Sequence, residues 1–144
     1  MPSMKKRSLV KVLVLSLAAV TALTAAFAAQ ASAKRFVTDD GNIACIMRSK
    51  FVRCDVSKHK WTAPPKPKSC EFDYGSSLYL NTQEKKAGFA CVSDATGATM
   101  EYPPGTKFKT GDNVCRLRKN GKVKCRNKVG DYGFTVGKKS YSLF

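Results

Sequence analysis

Histidine is almost missing from this chain. His59 is the only one in 144 residues, and Trp61 is the only tryptophan. A single imidazole cannot supply a two-His metal site, and His59 stands in Ser57-Lys58-His59-Lys60, where neighbouring positive charge favours a solvated surface side chain over a general base. Also absent are a Ser in Gly-x-Ser-x-Gly, a His-Glu-x-x-His pair and a Walker-type phosphate loop. These absences exclude the commonest hydrolase, metalloprotease and nucleotide-binding patterns, and no catalytic residue, metal ligand or cofactor is assigned.

Acidic side chains are scarce too, 10 against 26 Lys and Arg. The carboxylates that could pair for sugar hydrolysis are Glu71 with Asp73, and Asp94 with Glu101. In Cys70-Glu71-Phe72-Asp73-Tyr74-Gly75 a turn is the simpler reading. A small ribonuclease would suit the size and charge, but would also need a convergent His, Glu and Arg that the order of residues does not supply.

Cysteines are present in an even number, six, but never close together: no Cys-x-x-Cys occurs, and no two stand nearer than Cys45 and Cys54. That spacing argues against zinc, whose structural sites usually offer ligands two to four residues apart, and against a redox dithiol. Three disulfides are the expectation, and with them an oxidising compartment.

The N-terminus agrees with export. Lys5, Lys6 and Arg7 precede an uncharged run from Val12 to Ala29, followed by the small-x-small sites Ala29-Gln30-Ala31 and Ala31-Ser32-Ala33. Residues 1–33 therefore read as a signal peptide cleaved before Lys34, and residues 34–144 as one secreted domain. Cleavage removes four bases and no acid, so the formal charge falls from +16 to +12. A charge of this sign attracts anions and leaves the fold undetermined.

Beyond Lys34, short apolar bursts alternate with Gly, Pro, Asn, Asp and Lys, and no helical period is sustained. The pattern predicts strands at 35–37, 43–48, 51–56, 78–80, 89–92, 114–118, 122–126, 134–136 and 140–143. The fold class is mostly β, a small antiparallel sandwich or partly open barrel stapled by three disulfides.

Two hairpins can be read in register. Reversal at Ser49-Lys50 sets Arg48 against Phe51 and brings Cys45 opposite Cys54 at a close, non-hydrogen-bonded site. Ile43, Cys45, Met47, Val52, Cys54 and Val56 then face the core, with Arg48, Arg53 and Asp55 outward. A three-residue loop Lys119-Asn120-Gly121, with Gly121 left-handed, likewise brings Cys115 opposite Cys125. By elimination the third pair is Cys70–Cys91. Between the hairpins, Trp61 to Lys68 holds three prolines and should run extended as a stiff connector, with Trp61 capping the core edge. Gly133 and Gly137 are expected to give turn freedom around a terminal strand that closes the core.

The second hairpin carries the main functional clue. Its register puts Arg116, Arg118, Lys122, Lys124 and Arg126 together on the face opposite Leu117 and Val123, and no acid occurs between Val114 and Gly130. A polyanion site is therefore expected there: an anionic envelope polymer or anionic membrane surface, with no specific nucleic acid. The competing functions are a small secreted hydrolase of an envelope polymer and an inhibitor or other protein-binding module.

Gly41-Asn42-Ile43-Ala44-Cys45, Val52-Arg53-Cys54-Asp55, Trp61 with Pro64, Pro65, Pro67 and Cys70, Phe89-Ala90-Cys91, Val123-Lys124-Cys125 with Asn127, and Gly133-Phe134 with Tyr141-Ser142-Leu143-Phe144 occur in that order. In these motifs the chain resembles a family of small secreted six-cysteine bacterial proteins carrying a domain of unknown function. The resemblance spans nearly all of residues 34–144 and implies a shared scaffold and export, but no activity. Apart from Lys124, the run of bases around residues 116–128 lies outside that pattern.

Overall fold

Strict alternation of apolar and polar residues shapes the first hairpin. In β2 (Ile43–Arg48) and β3 (Phe51–Val56), Ile43, Cys45, Met47, Val52, Cys54 and Val56 all point inward and are buried. Cys45 pairs with Cys54 and Arg48 with Phe51, as the two-residue reversal requires. The computed structural model describes residues 32–144; the expected signal peptide lies outside the described residues apart from Ser32 and Ala33.

Nine further strands complete the domain: β1 (Lys34–Thr38), β4 (Asp73–Asn81), β5 (Lys86–Val92), β6 (Glu101–Tyr102), β7 (Lys107–Thr110), β8 (Asn113–Arg118), β9 (Lys122–Asn127), β10 (Gly133–Val136) and β11 (Tyr141–Leu143). They form a six-stranded sheet, β5-β4-β3-β2-β1-β6, and a five-stranded sheet, β11-β10-β9-β8-β7. Neighbours pair antiparallel except β1 and β6, which run parallel. Neither sheet closes into a barrel. The all-β class and the sandwich reading hold, while β6 and β7 were not expected and β4 and β5 run longer than their apolar bursts.

Between the sheets, Phe36, Ile43, Met47, Leu78 and Leu80 from one side meet Leu117, Val123, Phe134 and Val136 from the other. Each such burial is worth roughly 1.5–3 kcal/mol, so this face dominates the cohesion of the domain. Phe36 of β1 also stacks on Phe108 of β7 at 4.2 Å, tying the sheets at one end. The disulfides are Cys45–Cys54, Cys70–Cys91 and Cys115–Cys125. The two hairpin bridges hold Cα atoms 4.1 and 4.0 Å apart, matching close cross-strand pairs.

The connector departs from strand geometry between Val56 and Asp73, as its prolines dictate. Trp61 packs on the core edge, donates from Nε1 to Gly137 O at 2.9 Å, and meets Phe89 and Tyr141 edge-on. His59 is half-buried rather than solvated. Its ring stacks on Trp61 at 3.7 Å and its Nδ1 lies 3.0 Å from Trp61 O.

One turn expectation needs correction. Neither Gly133 nor Gly137 is left-handed. A Cβ on Gly133 would fall 2.1 Å from Cys125 O, so close approach of β10 to β9 demands that glycine. In the β8–β9 loop Gly121 is left-handed as expected (φ 64°), and Asn120 (φ 68°) shares that conformation. Asn is among the few side chains that tolerate that conformation.

A cationic groove on the five-stranded sheet

Pairing of β8 with β9 sets Arg116 opposite Lys124, Arg118 opposite Lys122 and Cys115 opposite Cys125. Because side chains alternate, Cys115, Leu117, Val123 and Cys125 are buried, and the five expected cations stand on the outer face. Strand β7 extends the array, since Lys107 pairs with Arg116. Across the sheet, one outer row therefore reads Lys107, Arg116, Lys124, Thr135, Ser142. The next reads Lys109, Val114, Arg126, Gly133, Phe144, its last step made by two backbone hydrogen bonds between Gly133 and Phe144 at 2.8 and 3.0 Å.

These rows enclose a groove of about 290 Å³ lined by Lys107, Val114, Arg116, Arg118, Lys124, Arg126 and Lys128. No carboxylate lines it. Among the described residues, the one ion pair made by a lining cation is Arg126 with the exposed Asp131, at 3.3 Å. Lys122 shares the outer face but does not line the groove; its stem lies beside Gly137, where a Cβ would come 2.7 Å from Lys122 Cγ. Lys107 and Lys128 join the groove without having been expected. The alternation Lys107-Phe108-Lys109, with Phe108 against the core, was the available signal for Lys107.

Facing cations repel one another. At about 5.5 Å in a water-like dielectric each opposed pair costs roughly 0.7 kcal/mol, less in salt. The pairs Lys107–Arg116, Arg116–Lys124 and Arg118–Lys122 make the outer face a net expense to the fold. An anion in the groove would reverse the sign of that contribution.

A second concavity, about 340 Å³, lies on the outer face of the six-stranded sheet between Arg35, Ile46, Arg48, Phe51, Arg53 and residues 94–96. Its electrostatics differ. Arg53 is engaged by Asp55 and Asp94, each at 3.1 Å, and donates to Asp94 O at 2.8 Å, while Arg35 Nε donates to Thr96 O at 3.0 Å. These arginines hold the loop after β5 against the sheet. Asp94, considered above for hydrolysis, is thereby held in an ion pair. Among the described residues no three His, Cys, Asp or Glu side chains gather as a metal-holding group.

Comparison with known proteins leaves the reading to these residues, for no family model, curated protein or solved structure matches the chain.

Proposed function

We propose that the protein is an exported binding module whose groove on β7–β9 holds a linear polyanion, such as an anionic envelope polymer. The observation carrying this reading is the groove itself: six cations line one concave face and no acid lines it. Along a strand, same-face cations such as Arg116 and Arg118 recur about every 7 Å, a spacing suited to repeated anionic groups on one chain. Three disulfides fit an extracytoplasmic protein, and cleavage before Lys34 would deliver the domain there. A scaffold shared with the small secreted six-cysteine family belongs to the same reading.

The test compares two quadruple variants of equal charge. Replacing Lys107, Arg116, Arg118 and Lys124 by Gln empties the groove of most of its charge while preserving alternation. The control replaces Lys58, Lys60, Lys66 and Lys68, all exposed and on the connector. The groove variant should lose most affinity for heparin or polyphosphate, and its log Kd against log salt slope should flatten by up to about 3. Equal loss in both variants would mean that only overall charge matters. Unchanged binding in both would reject the groove as a site.

A further inference from the structure

One aromatic side chain interrupts the polar outer face of the five-stranded sheet. Phe144 is 45 % exposed, whereas Phe134 of the same sheet is fully buried and Phe108 and Tyr141 pack against the core. Its position is set by the backbone. The two hydrogen bonds to Gly133 place Phe144 in the row of Arg126, with only Gly133 between them, so no side chain separates the ring from the cations. Lys124 Nζ, one of the groove cations, lies 4.9 Å from the ring centroid.

A polyphosphate, which has no ring of its own, gains nothing by stacking on an exposed aromatic at the groove's margin. A ring beside a cationic track is what unpaired bases use: the phosphates follow the charge and a base stacks on the aromatic face. Resting on the polyanion reading above, we infer that the groove takes single-stranded nucleic acid without sequence preference, with its phosphates along Lys107, Arg116, Arg118, Lys124 and Arg126 and one base stacked on Phe144. Duplex is disfavoured because its bases are already stacked and turned inward, out of reach of a ring at a groove margin. The rows hold no Asn or Gln to pair with an adenine edge, and their arginines are assigned to the phosphates rather than to base edges.

The experiment uses three probes of equal length at fixed salt: oligo(dT), an abasic deoxyribose-phosphate strand, and a duplex. Wild-type protein should bind oligo(dT) most tightly. Phe144→Leu, which keeps an apolar side chain and the backbone pairing, should weaken oligo(dT) about tenfold and leave the abasic strand unchanged. Phe144→Ala should do the same, and circular dichroism verifies that both variants fold. Equal affinity for oligo(dT) and the abasic strand, or equal loss on both in Phe144→Leu, would overturn the inference and leave a base-free phosphodiester polymer as the ligand. Duplex bound as tightly as oligo(dT) would also overturn it. Failure of all three probes on wild-type protein that still binds heparin would overturn the inference alone, and failure with heparin as well would remove the polyanion reading itself.

Discussion

Asn127 donates from Nδ2 to Asn113 Oδ1 at 3.0 Å, and both side chains are buried. The pair occupies the one level of β8–β9 where an inward residue is polar. Asn113 Nδ2 reaches across to the β2–β3 turn, donating to Ser49 O at 3.1 Å and Arg48 O at 3.4 Å. Asn127 Oδ1 accepts from Val129 N and Gly130 N, each at 3.0 Å. Neither Ser49 nor Lys50 adopts the positive φ that two-residue hairpins favour. Support from the opposite sheet steadies that turn.

Removal of this polar link should be costly because each partner then has an unmatched group in the interior. Asn113→Ala and Asn127→Ala should each destabilise the domain by about 1–3 kcal/mol, read as a lower urea midpoint at unchanged slope. The double variant should cost less than the sum of the two, since the shared bond can be lost only once. Strict additivity would show that the asparagines act separately.

Disulfide pairing sets a second expectation. The bridges close loops with separations of 9, 21 and 10 residues. Chain-entropy arithmetic assigns them roughly 2.7–3.4 kcal/mol each, together comparable to the whole stability of a small domain. Full reduction should therefore unfold the protein near room temperature, observed as loss of the near-ultraviolet signal of Trp61. Non-reducing peptide mapping should recover only sequential pairs; a Cys54–Cys70 linkage would contradict the hairpin registers.

Gly133 and Gly137 should differ sharply. A Cβ at Gly133 meets backbone, 2.1 Å from Cys125 O and 2.8 Å from Arg126 Cα, so Gly133→Ala must push β10 from β9. A loss above about 3 kcal/mol is expected, in the range of severe overpacking. At Gly137 the obstacle is the flexible Lys122 stem, and Gly137→Ala should cost about 1 kcal/mol or less. Thermal unfolding of the two variants tests the order; equal shifts would refute it.

Local chemistry was enough for the hairpins. In β2–β3 and β8–β9 a two-residue apolar period, a short turn and a cysteine in each arm admit one good register, so both disulfides and the outward set of bases were legible from the chain alone. The third bridge followed only because the other four cysteines were used. The prolines likewise announced the connector, since a missing amide donor acts at its own position.

Tertiary structure decided what depends on distant partners. Strand β6 is only two residues long and exists because Val37 and Thr38, far back in the chain, offer it an edge. Lys107 entered the groove through β7 pairing with β8, and Lys128 through the turn that follows β9. The same dependence explains Gly133, whose need for a bare Cα comes from the approach of Cys125, and Phe144, which reaches the cationic face through its bonds to Gly133. A residue's own periodicity shows which way it points relative to its neighbours in sequence. Which strand lies beside it, and hence which charges share a groove, is set when two apolar faces close on one core, a long-range event that no local pattern encodes.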